Sequence, residues 1–141
     1  MNALKSLCLV LAAIFVTSLE SQAELAPEAY RKMQLSSPEA LTIQVVDITS
    51  TRTGLFDFSG DRAQEVTAKI IKVERTITGL KIGDHIVIRY ISENPGRKIA
   101  GPGPIAKLEK GRIYPAWLEI SAGKTSYSPA ARRASFSPLV E

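Results

Sequence analysis

Thiol chemistry is the first thing this chain does without. Its one cysteine, Cys8, sits inside an apolar run from Leu7 to Val16, shortly after Lys5. Ser21-Gln22-Ala23 follows and places small residues where a signal peptidase reads. A positive start, a short apolar run and a small-residue site predict a secretory signal peptide over 1–23, cleaved after Ala23. The run is too short to remain as a membrane span, so no transmembrane anchor is expected after cleavage. A lipid-modified cysteine would follow the apolar run, whereas Cys8 lies within it. Cleavage leaves a cysteine-free mature chain, which excludes disulfides, thiolate metal sites, Fe–S clusters and thiol catalysis. The expected location is secreted or periplasmic, away from ATP and nucleic acid, so a nucleic-acid partner is not expected.

Histidine is equally scarce. His85 is the only one, which limits any Ser-His-Asp triad or histidine metal site to one imidazole. Asp84 is its neighbour in sequence and points to the other face of a strand. His85 reads first as a polar residue opening a strand after a Gly-Asp turn, and second as a lone general base. Gly123-Lys124-Thr125 has the end of a phosphate-binding loop without its start, because Leu118 stands where the first glycine is required. Asp57 and Asp61 flank Phe58-Ser59-Gly60 and read as a hairpin turn, since two carboxylates are too few for calcium. No catalytic residue, metal site or cofactor is predicted.

Charge is nearly balanced, with a formal excess of +4. The excess lies late: residues 24–90 carry nine basic and nine acidic side chains, and residues 91–141 carry eight and four. A basic final third in an exported protein points to an anionic envelope ligand or an acidic protein partner, or to a solubilising surface. Arg97, Lys98, Lys107, Lys110, Arg112, Arg132 and Arg133 are its candidate binding residues.

What the chain does have is strand periodicity. Pro27 to Gln34 suits a short helix, with Pro27 and Glu28 in its first turn and Tyr30 and Met33 on one face. From Leu41 the period becomes two. Leu41, Ile43 and Val45 share a face, and the phase then slips at Val45-Val46 to Ile48, the mark of a β-bulge or sharp coil. Val66, Ala68 and Ile70 alternate, and Ile71, Val73 and Ile77 take the other phase. Two long strands with slips of this kind suit a small, strongly curved barrel. His85 to Ile91 is a third strand, apolar on both faces and so expected to be covered, at least in part, on both. Asn94 to Gly111 is a long Gly/Pro-rich loop of the kind that carries function. Ile113 to Ile120 is a fourth strand, with Tyr114, Ala116, Leu118 and Ile120 facing the core. Pro115 within it argues for an edge or a bulge. A short fifth strand is expected around Ser126-Tyr127. The fold class is therefore mostly β: a five-stranded OB-like Greek-key barrel over 41–128. A helical lead-in over 24–40 precedes it. The tail, 129–141, either lies over the barrel or stays loose.

The run Val66-Thr-Ala-Lys-Ile-Ile-Lys-Val-Glu-Arg-Thr-Ile-Thr-Gly-Leu-Lys-Ile-Gly-Asp-His-Ile-Val-Ile-Arg-Tyr90, followed by Leu108-Glu-Lys-Gly-Arg-Ile-Tyr114, resembles netrin-like, or tissue-inhibitor-of-metalloproteinase-like, OB-fold modules. The resemblance covers about half of the chain after Ala23 and implies the barrel. It also implies inhibition of an extracellular hydrolase. Zinc chelation by an N-terminal cysteine does not carry over, because Glu24 begins this mature chain.

Aromatics are few, so an oligomer-binding aromatic face is thin. Trp117 lies opposite the Tyr114–Leu118 phase. It is either a half-exposed contact residue or the lid of a second small core under the Asn94–Gly111 loop. These observations together predict an exported, non-enzymatic binding module for an unknown protein or anionic envelope ligand. An envelope hydrolase using His85 and a hydrolase inhibitor are the alternatives.

Overall fold

Two strands of fourteen residues carry the fold, and both have to bend. The computed structural model describes residues 24–54, 59–94, 96 and 103–141. The expected signal segment lies outside the described residues. So do Phe56, Asp57, Phe58, Arg97 and Lys98. Helix α1 spans Pro27–Ser36, and the strands are β1 Glu39–Arg52, β2 Arg62–Arg75, β3 His85–Ser92, β4 Ile113–Ile120 and β5 Tyr127–Pro129. A short 3-10 turn, Arg132–Phe136, ends the chain's regular structure. Among the described residues no helix is long and apolar enough to cross a membrane.

The strands form a closed barrel in the order β1-β2-β3-β5-β4, with β4 returning to β1. This is the five-stranded OB-like arrangement that the periodicity predicts. Between β1 and β2 the register slips where Val45 pairs with Ala68 and Asp47 with Thr67. Val46 is thus the extra residue of a bulge, at the place where the sequence phase changes. Ile71 and Glu74 are the extra residues on β2. Each bulge sends its residue outward and bends the strand, so the inner phase stays inner on both sides of it. Closure is made by the shortest strand. Ile88 of β3 pairs in parallel with Tyr127, and β5 pairs antiparallel with Leu118 to Ile120. Pro115 precedes the part of β4 that meets β5, so its missing N–H costs no pairing on that side.

The inner faces of the strands fill the barrel with Leu41, Ile43, Val45, Val66, Ala68, Ile70, Ile86, Ile88, Ala116 and Leu118. Leu108 and Phe136 complete this core from outside the sheet, and Phe136 packs on Tyr90 with ring centroids 5.9 Å apart. Among the described residues the outer face of β3 is covered only in part, with Val87 partly buried and Ile91 half exposed.

The C-terminal tail lies against the barrel. Gln34 of α1 is wholly buried, and its Nε2 donates to Ala134 O (2.8 Å) and Pro138 O (3.0 Å). Its Oε1 accepts from Val140 N–H at 2.8 Å. Trp117 joins Tyr30, Ala131 and Ala134 in a second small core and donates from Nε1 to Ser137 O at 2.9 Å. That core is roofed by α1 and the tail rather than by the Asn94–Gly111 loop. The loop's anchoring side chain, Leu108, points into the barrel instead.

Glu39 is a buried carboxyl group with a structural task. Its Oε1 accepts from Ile77 N–H (3.2 Å), Thr78 N–H (3.1 Å) and Thr78 Oγ1 (3.0 Å), while its Oε2 is buried without a partner. Thr78 Oγ1 also meets the Tyr127 hydroxyl at 2.9 Å. One side chain thus ties the start of β1 to the β2–β3 turn and, through it, to β5. Orphaning each buried donor costs about 1–3 kcal/mol. Glu39→Ala is therefore expected to cost about 3 kcal/mol or more by denaturant midpoint. Glu39→Gln keeps the accepting oxygen and should cost clearly less. Equal losses in the two variants would show that neither the bulk nor a single accepting oxygen suffices and that the acidic group itself is needed.

Candidate binding site at the barrel mouth

The inner faces of the long strands change chemistry along their length. Ile48, Val66 and Ile88 form one cross-strand row on the inward face. The next row is Ser50, Gln64 and Tyr90, and the last is Arg52, Arg62 and Ser92. The barrel is therefore apolar inside and becomes polar, then cationic, at one end. A hollow of about 460 Å³ opens there, lined by Ile48, Ser50, Gly60, Arg62, Gln64, Ser92, Glu93, Asn94 and Lys107. Barrel mouths are a common place for ligand sites.

The hollow's walls are held by named bonds. Ser50 Oγ accepts from Arg62 Nε at 2.8 Å and from Gln64 Nε2 at 2.9 Å. Asp61 Oδ1 accepts from Asn94 N–H at 2.9 Å, Asn94 Nδ2 donates to Ser59 O at 3.2 Å, and Asn94 Oδ1 accepts from Gly96 N–H at 3.0 Å. The far end of the β1–β2 hairpin is thereby tied to the end of β3. Leu108, buried in the core, anchors the returning segment that presents Lys107 to the hollow. Burial pushes the Tyr90 phenol above its ordinary range, against a bond to the Leu108 backbone, so it stays neutral.

Arg52 and Arg62 stand directly across from each other in the ladder. Like charges in that position repel. Among the described residues neither forms an ion pair, and neither does Lys107. The other basic candidates carry their own counter-ions. Lys110 Nζ meets Asp47 Oδ1 at 2.9 Å, and this bond and charge hold the Asp47 carboxyl below its usual range. Arg112 Nε meets Glu109 Oε2 at 3.2 Å. Arg133 pairs with Glu24 and lies over the Tyr30 ring, 5.1 Å from its centroid. Arg132 is exposed at the start of the 3-10 turn, with a φ of 49°. Trp117 and Arg133 belong to the α1–tail corner, whereas Lys110 and Arg112 belong to the start of β4. Of the predicted residues that are described, the structure brings only Lys107 to the mouth. It adds Ser50, Arg62, Gln64, Ser92 and Asn94, with Arg52 across the ladder from Arg62, and the signal of those on β1 and β2 was the inner phase counted through the Val46 bulge.

Two other hollows are less suited to a polar ligand. One of about 600 Å³ lies in the α1–tail corner, where its one cation, Arg133, is already engaged by Glu24. One of about 490 Å³ lies on the outer face of β1–β3, where Arg89 Nε is paired with Glu65 Oε2 at 2.7 Å. His85 is exposed and in register with Lys69, and Asp84 Oδ2 accepts from Lys81 N–H. Among the described residues no group of three or more His, Cys, Asp or Glu side chains could hold a metal ion. No protein-family model and no curated protein matches this chain.

Gly60 is the tightest point of the mouth. Its φ is +78°, and a Cβ there would lie 2.5 Å from Asn94 Nδ2. Asn94 cannot yield easily, because three hydrogen bonds hold it. Left-handed backbone alone costs a non-glycine residue about 1–2 kcal/mol. Gly60→Ala is expected to lose at least about that much stability. It should also weaken amide hydrogen-exchange protection at Asn94 while sparing Ile43 and Ile70 in the core.

Proposed function

We propose that this protein is an exported, non-enzymatic binding module that receives an anionic group of its partner at the open end of the barrel. The opposed pair Arg52 and Arg62 carries the reading. Arg62 lines the hollow with Lys107 and faces Arg52 across the ladder, and an anion beside Arg62 relieves the repulsion. Hydroxyl and amide groups from Ser50, Gln64, Ser92 and Asn94 supply orientation. The basic residues at the start of β4 and in the tail corner contribute less to an anionic surface, because their charge is spent on Asp47, Glu109 and Glu24. The hydrolase alternative has no support in the surroundings of His85. The inhibitor alternative depends on the Gly-Pro part of the long loop, most of which lies outside the described residues.

Two experiments test this. Amide NMR shifts of the exported protein, titrated with small anions and hydroxylated probes, should concentrate at Ser50, Gln64, Ser92 and Asn94. Shifts concentrated at Lys69 and His85 instead would move the site to the outer wall. Export is tested by intact mass: the protein recovered outside the cytoplasm should begin at Glu24, and a mass that retains Cys8 or carries a lipid would overturn soluble export.

A further inference from the structure

We infer that the ligand taken at the mouth is a small zwitterion, an amino acid that brings an ammonium group together with its carboxylate. This rests on the mouth being the binding site and adds the class of ligand. Charges of both signs line the hollow: Arg62 and Lys107 on one hand, Glu93 on the other. Arg52 stands across the ladder from Arg62, outside that lining, and Asp61 at the rim accepts the Asn94 N–H. Among the described residues Glu93 forms no ion pair with Arg62 or Lys107, although all three border one space. A plain anion drawn to Arg62 would meet the repulsion of Glu93. A ligand with a second, positive end turns that repulsion into attraction.

Each of the three charges stands on a separately anchored segment. Arg62 opens β2, and Ser50 Oγ accepts its Nε at 2.8 Å. Glu93 follows β3 between two fixed residues. Ser92 pairs with Arg62 in the ladder, and Asn94 is held by Asp61 Oδ1, Ser59 O and Gly96 N–H. Lys107 precedes Leu108, which is buried in the core. The backbone positions of the charges are therefore set before a ligand arrives, which lowers the cost of ordering them. A guanidinium group presents forked N–H donors that match a carboxylate, so Arg62 suits the ligand's negative end. Ile48 borders the same hollow and suits the methylenes between the two charged ends. The volume of about 460 Å³ admits a molecule of this size.

A series of amino acids with increasing charge separation separates this from general attraction to anions. Glycine, β-alanine, γ-aminobutyrate and ε-aminocaproate carry the same two groups on spacers of increasing length. They are titrated into the exported protein at neutral pH and low salt, beside butyrate and butylamine, which carry one charge each. The best of the series should move the amides of Ser50, Gln64, Ser92 and Asn94 at a concentration about two- to five-fold lower than butyrate or butylamine, the scale of one exposed ion pair. Glu93→Gln should remove that advantage and leave butyrate binding as tightly as before or more tightly. Arg62→Gln should weaken the zwitterion and butyrate alike. If Glu93→Gln weakens butyrate as much as the zwitterion, Glu93 serves the fold and its assignment to the ligand is overturned. If butyrate binds as tightly as every member of the series, the zwitterion is wrong and the mouth reading stands. If no probe moves these amides, both fail.

Discussion

Curvature without loss of facing is the constraint on which this barrel depends. A fourteen-residue strand cannot stay straight in a closed sheet of five, and a bend normally threatens the alternation that keeps apolar residues inside. The bulge at Val46 resolves this by adding one residue at the bend. Val45 and Ile48 both face inward across it, although they are an odd number of positions apart. The two extra residues on β2 do the same from the other side of the pair. All that lies beyond Val46 owes its direction to that insertion, including the inward turn of Ser50 and Arg52.

The same constraint explains why core and mouth share a surface. The inner face of β1–β3 is one continuous wall. Around Ile43, Ile70 and Ile86 it is buried. Past Ile48 and Val66, Phe136 still packs on Tyr90 and Gln64 is buried, while Ser50, Arg52 and Arg62 are exposed. The change from a filled interior to a polar opening therefore needs no separate element.

Much of the architecture was legible in the alternation of apolar residues. The five strands, the bend at Val45-Val46 and the short helix all left local patterns in the sequence. The mouth did not, because it is a property of register. Arg62 reads as the end of a turn until its pairing with Arg52 is known, and Lys107 reads as one of several loop lysines until Leu108 is seen to anchor it. For Trp117 the sequence left a lid and a contact residue both open, because the partner that decides it, Tyr30, lies far back in the chain. Counting basic residues in the final third also missed that Asp47, Glu109 and Glu24 would answer three of them.

The strand that closes the barrel is also the last to be made. β3 waits for a partner supplied by Tyr127, and the core waits for the ring of Phe136. Pairings so distant in sequence delay folding, since the chain must close large loops before the contacts reward it. A growing chain consequently carries β3 and β4 with one edge each unpaired, and their apolar faces open, until its final residues emerge. Until Tyr127 and Phe136 are in place the protein is a sheet with adhesive borders, open to aggregation.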